Sequence, residues 1–265
     1  MIKQQLPDHL SYSSISCYLQ CPLKWRFHYV DQLPEEFVTS SLVFGQAIHE
    51  SVAAFLNASL SGDSLTPDEM LMVYLNAWRG SNGIEIRCSN GDSEEKLLKK
   101  AQDLLSLWHS GQDGMTEILG VEEEFTFDMA DLADYPSLDL PPLIGYVDHI
   151  IKQPDGSITL IDLKTAARKP SQLQADQSLQ LTAYSLGAAA LGFDPDDLTL
   201  RLDYLLKGTQ PDLVSLETTR TEDDRRRFVK MVAGVWNGIT NSVFFPKTDW
   251  YCRSSCGYQS QCAKW

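Results

Sequence analysis

A chain of 265 residues is long enough to bury a full hydrophobic core, so its six cysteines are not needed merely to hold a small fold together. With 36 acidic against 22 basic side chains the formal charge is −14, which weighs against nonspecific grip on nucleic acid yet leaves room for an enzyme with acidic metal ligands. No stretch reaches the roughly 18 unbroken apolar residues of a membrane span, and "MIKQQLPDHL" has no apolar run behind its charge, so the expectation is a soluble, cytoplasmic protein without a membrane partner whose thiols are metal ligands or buried groups.

In chain order, "LSYSSISCYLQCPLKWRFHYV" sets apolar residues at helical spacing behind Ser caps and predicts one or two short helices. "FGQAIHESVAAFLNASL" predicts a second helix, and "SLSGDSLTPDEM" a loop into a third through "MLMVYLNAWRG". "NGIEIRCSNGD" reads as a polar loop before the charged helix "SEEKLLKKAQDLLSLWHSG". Residues 1–115 are therefore expected to form a mostly helical N-terminal portion.

The texture then changes. "ILGVEEEFTFDM" alternates as a strand, "ADLADYPSLDLPP" is a loop, and "LIGYVDHIIK" and "SITLIDLKTA" are two strands around a turn. A helix follows over about residues 178–191. "LTLRLDYLLKG" and "LVSLETTR" form another hairpin, and Thr221 with Asp224 can cap the helix "EDDRRRFVKMVAGVWNGI". The order β, β, β, α, β, β, α predicts an α/β domain with a mixed central sheet flanked by helices over residues 116–245. A cysteine-rich segment, 246–265, closes the chain, and the three parts are expected to make one compact unit. Two local basic clusters, Lys24 with Arg26 and "RRRFVK" from Arg225 to Lys230, read equally well as solvated helix faces.

The turn "QPDGS" dictates its own geometry. Pro154 presets the first corner of a type I turn, Asp155 suits the second, and Gly156 can take the left-handed position that closes a three-residue loop. Gln153 then pairs with Ser157, and Asp148 falls opposite Asp162, with Lys164 on the same side of the sheet. Two facing carboxylates repel unless a cation lies between them. Asp148, Asp162, the Leu163 carbonyl and waters make a plausible octahedral site for Mg²⁺ or Mn²⁺, with the Lys164 ammonium placed to orient a nucleophile. Glu94 and Lys96 repeat the acid-x-Lys spacing on an amphipathic helix, where they read as ordinary surface residues. Gln180 and Tyr184 in "LQLTAYS" share one helical face, as do Gly45 and His49 in "FGQAIHE", where the glycine permits close backbone approach and the histidine can be a ligand.

Taken in order, His49 in "GQAIHE", Asp148 in "GYVD", Asp162 and Lys164 in "IDLK", and Gln180 and Tyr184 in "QLTAY" resemble the RecB-type branch of the PD-(D/E)XK nuclease superfamily, over most of the chain from Ser11 onward. The resemblance implies a restriction-endonuclease-like core. It also implies metal binding by His49 and the two aspartates, a water-assisting Lys164, and support of the site and DNA contact by Gln180 and Tyr184. Some members, including the CRISPR-associated RecB-like exonucleases and AddB-type nuclease domains, hold a [4Fe–4S] cluster through one N-terminal and three C-terminal cysteines. Here that implies Cys21, in "YLQCPLKW", with Cys252, Cys256 and Cys262 in "DWYCRSSCGYQSQC", as a staple between the two ends of the chain. The C-terminal spacing is Cys-x₃-Cys-x₅-Cys where Cys-x₂-Cys-x₅-Cys is commoner, Cys17 is the rival ligand, Cys88 is a spare thiol, and four thiolates could also hold Zn²⁺.

The expected function is a divalent-metal-dependent DNA exonuclease acting on single strands or DNA ends, in DNA repair or CRISPR adaptation. A different class of reading is a docking subunit for a helicase or for CRISPR integration proteins; the sequence contains no Gly-x₄-Gly-Lys-Ser/Thr loop of its own. A zinc-bound DNA-binding protein is the third, disfavoured by the charge.

Overall fold

Local signals set most of the elements in the computed structural model, which describes residues 6–80, 83–88, 91–112, 116–132, 139–249 and 251–265. Helix α1 (Tyr12–Gln20) starts where the Ser11 side chain accepts from the Ser14 N–H, and α2 (Pro22–Trp25) begins with Pro at its first position. A π-helical turn, Arg26–Val30, follows. After strand β1 (Phe37–Thr39) come α3 (Ser40–Leu60) and α4 (Pro67–Arg79), the latter with a capping box between Thr66 and Glu69. The "NGIEIRCSNGD" stretch is not all loop: Glu85–Arg87 form β2, which pairs in parallel with β1. No nearby residue announces that pairing, because its partner lies about 48 residues upstream.

Helix α5 (Glu94–Ser110) leads to the main sheet, built from β3 (Glu117–Phe127), β4 (Leu143–Lys152) and β5 (Ile158–Ala166). Short α6 (Gln172–Asp176) and α7 (Leu179–Gly187) cross to β6 (Thr199–Leu206), β7 (Asp212–Thr218) follows, and α8 (Glu222–Thr240) carries the expected Thr221–Asp224 capping box. The chain ends in α9 (Cys252–Ser255) and α10 (Gln259–Cys262). Of "ADLADYPSLDLPP", the start belongs to a 3₁₀ turn, Met129–Leu132, and residues 133–138 lie outside those described.

The sheet order is β3-β4-β5-β6-β7, antiparallel throughout except for the parallel β5–β6 pair. This is the expected α/β architecture with a mixed central sheet between helical layers. One face packs Val147, Ile150, Leu160, Leu200 and Leu202 against α1, α7 and α8. The other packs Val121, Leu163 and Leu205 against α3, α4 and α5. Buried Arg220 fixes the α6–α7 corner by donating to the carbonyls of Ala175 and Ser178 and to the Thr182 hydroxyl.

The hairpin turn takes the form its residues dictate. Gln153 N–H bonds the Ser157 carbonyl at 2.9 Å, and Gly156 has φ +90°. The pairs run from Lys152↔Ile158 to His149↔Ile161 and stop there.

Candidate active site

Beyond His149↔Ile161, β4 and β5 part, and a side chain takes over from the ladder. Asp148 Oδ2 accepts a 2.8 Å hydrogen bond from the Leu163 N–H. The same residue's Oδ1 is 3.2 Å from the Tyr184 hydroxyl, which also lies 3.4 Å from Asp162 Oδ1. Lys164 Nζ donates to Asp162 Oδ1 and to Gln180 Oε1, each at 2.8 Å, and Gln180 Nε2 donates to the Tyr184 oxygen at 3.3 Å. From α3, His49 Nδ1 reaches within 3.2 Å of Asp148 Oδ2. All six side chains singled out in the sequence thus belong to one connected network, with α7 contributing from one sheet face and α3 from the helical layer on the other.

A seventh, Glu122, was not anticipated. Ligand atoms of His49, Glu122 and Asp148 all lie within 4.8 Å of one another. Glu122 sits on β3 between the pairs Val121↔His149 and Glu123↔Val147, hence level with Asp148, and its φ of +52° is unusual for a residue with a side chain. In "VEEEF" any of three glutamates could face the site. The β3–β4 register that selects Glu122 is not set by a short turn.

Asp162 stands behind this trio. It is fully buried, and its Oδ2 has no hydrogen-bond partner. The Leu163 carbonyl is engaged by the His49 ring, and its side chain packs into the α3–α5 core. Gly45 is not required by close approach: a Cβ there would meet Thr165 Oγ1 at 3.6 Å, an ordinary contact.

Burial pushes the Asp162 carboxyl up to about 7 despite the opposing Lys164 charge. Burial and the neighbouring Asp148 charge push Glu122 to about 7 as well. For His49, burial lowers the pKa against the pull of Asp148. Burial also works to lower Lys164, but the charge and hydrogen bond of Asp162 outweigh it and hold the ammonium above its ordinary value. Two carboxylates, Asp148 and Glu122, and the His49 imidazole line a cavity of about 900 Å³, and buried Asp162 with its orphaned oxygen lies behind them. Such a donor set suits a hard divalent ion, which would remove the mutual repulsion of the acids.

At the far end, Cys21, Cys252, Cys256 and Cys262 line one cavity of about 340 Å³, all as free thiols. Backbone N–H groups point at three of the sulfurs: Lys247 to Cys21 at 3.5 Å, Asp249 to Cys252 at 3.3 Å, and Tyr258 to Cys256. Thiolates on a single tetrahedral zinc would be about 3.8 Å apart, from a Zn–S bond near 2.3 Å. No three of these sulfurs draw within even 4.8 Å of one another. Cys17 is not on the cavity wall, and burial raises its thiol to about 11. Cys88 is exposed.

The basic clusters are locally neutralised. Lys24 pairs with Glu35 and Arg26 with Asp31. Arg225 is buried against Asp196, and Arg226 and Arg227 pair with Glu222 and Asp224 on their own helix. Among the described residues, no helix is long and apolar enough to cross a membrane.

A sequence profile described as the PD-(D/E)XK nuclease superfamily matches residues 9–263. No curated protein matches the chain. Among solved structures, one named "Putative exonuclease" from Eubacterium rectale has a TM-score of 0.57 at 11% identity, covering 97% of this chain and 88% of its own. Another, SSO0001, has a TM-score of 0.39 at 13% identity, covering 92% of each chain. At 11% identity the likeness to the first of these speaks to fold alone.

Proposed function

The chain belongs to the PD-(D/E)XK nuclease superfamily, and from that premise we propose that it is a divalent-metal-dependent DNA exonuclease acting on single strands or ends. What carries the reading is the hydrogen-bonded network that joins Asp148, Tyr184, Asp162, Lys164 and Gln180 in front of His49 and Glu122. In this proposal Asp148, Asp162, Glu122, His49 and the Leu163 carbonyl hold the ion. Bound Mg²⁺ or Mn²⁺ would supply charge neutralisation at the phosphate and lower the pKa of water. Lys164, kept protonated by Asp162 and aimed by Gln180, orients the attacking water and faces the charge that develops on the phosphate. Tyr184 has one proton for two carboxylates and sets their separation.

We extend the proposal to a [4Fe–4S] cluster held by Cys21, Cys252, Cys256 and Cys262 in a structural role. Protein contacts already join those ends: Glu36 N–H bonds the Gly257 carbonyl at 2.7 Å, and Ser260 N–H bonds Glu36 Oε1 at 2.9 Å. Membership of the RecB-like, CRISPR-associated branch, and a helicase or CRISPR integration proteins as partners, rest on resemblance alone.

The test is cleavage of end-labelled single-stranded and duplex DNA with Mg²⁺ or Mn²⁺. Cleavage by the wild-type protein that disappears in Lys164→Ala and Asp162→Ala, with the fold intact by circular dichroism, supports the reading. Equal cleavage by both variants removes it.

A further inference from the structure

On the α7 side of the network, a compartment of about 450 Å³ opens beside the proposed catalytic lysine. Lys164 and Gln180 form its inner wall, Tyr12 and Tyr204 stand in its sides, and Gln174, Gln177, Ser178 and three leucines complete it. Lys164 is the one charged group among these lining residues. The tyrosines are positioned by the fold. Tyr204 pairs with Lys164 across the parallel β5–β6 ladder, so the two side chains share a sheet face. Tyr12 opens α1 just after Ser11 caps it, and Leu10 anchors that point to the start of β4 through bonds to Pro142 and Ile144 of 2.9 and 2.8 Å.

Two aromatic rings, aliphatic walls, uncharged amides and a single cation at the inner end are poorly matched to a run of phosphates. They match one nucleobase: rings and leucines for its faces, glutamine amides for its edge, and the lysine toward its phosphate. The volume lies in the range of small-ligand sites, roughly 300–1,000 Å³. Resting on the nuclease reading above, we infer that this compartment receives the unpaired base next to the scissile phosphate, so that the substrate must present an unstacked terminal nucleotide. A base locked in a duplex cannot enter, which makes the compartment the element that selects single strands or frayed ends.

The test is a binding cycle with the full-length protein in Ca²⁺, using short fluorescent oligonucleotides that are intact, abasic at the 5′ terminus or abasic at the 3′ terminus. Tyr12→Ala and one of the terminal abasic changes should each weaken binding about tenfold, and together no more than either alone. Tyr12→Phe should bind like wild type, and a blunt duplex should be indifferent to Tyr12→Ala. Penalties that multiply for both ends, or no measurable binding by the wild-type protein, would overturn the inference. Cleavage in Mg²⁺ is scored separately. Coupled binding without cleavage keeps the compartment and removes the nuclease reading, whereas cleavage with multiplying penalties does the reverse.

Discussion

Asp148 Oδ2 lies 2.8 Å from the Leu163 N–H, so a carboxylate completes the β4–β5 ladder where the backbones separate. That bond gives Asp148 a structural duty beside its proposed role as a ligand. Asp148→Asn keeps an acceptor for the N–H and should abolish cleavage with little loss of stability. Asp148→Ala leaves the N–H unpaired and should also cost about 1–3 kcal/mol of stability. Urea unfolding of the two variants, alongside the cleavage assay, separates these effects.

Glu122 holds its side chain in the site at the expense of a left-handed backbone. Glycine adopts that conformation freely, so Glu122→Gly should stabilise the metal-free protein by about 1 kcal/mol while reducing Mg²⁺-dependent cleavage. A thermal melt in EDTA showing lower stability than wild type would contradict the strain.

Asp162 is fully buried and held near 7, above its unfolded value. Its contribution to stability is full below about pH 4 and is lost as pH rises through 7, while solvent screens the same upward shift at exposed Glu122. The metal-free protein should therefore lose melting temperature between pH 6 and 8, relative to an Asp162→Asn variant. Because a cation competes with these protons, stabilisation by Mg²⁺ or Mn²⁺ should be small at pH 6 and larger at pH 8. Melting curves with EDTA and with metal at both pH values check the sign.

Phe125 packs edge-on against Tyr184, and its ring fills the space a side chain would need at Gly187 and Gly145. A Cβ at Gly187 would lie 2.3 Å from that ring. Gly187→Ala should displace Phe125, shift Tyr184 and lower kcat about tenfold or more, since the site tolerates little misplacement. Phe125→Leu in the Gly187→Ala background should restore part of the activity; no recovery would argue against transmission through the ring.

Cys21→Ser should remove the visible absorbance of an anaerobically purified protein and lower its melting temperature, whereas Cys17→Ser, off the cavity wall, should leave the colour unchanged. Stoichiometric zinc and no iron in the wild-type protein would replace the cluster with a different centre.

Short windows of sequence were enough for whatever depends on neighbours along the chain. Pro154, Asp155 and Gly156 determine a turn, and the turn determines a register whose pairs run as far as His149↔Ile161, one step short of the expected Asp148 opposite Asp162. Thr221 with Asp224 likewise announces the start of α8. Tertiary structure decided the rest. It chose Glu122 from three adjacent glutamates, paired β2 with a distant β1, ended the β4–β5 ladder at His149, buried Asp162, and gathered thiols from opposite ends of the chain around one cavity. The reason is physical: turn and cap energies are local, whereas burial, charge proximity and the close approach of ligands depend on how distant elements pack against one another.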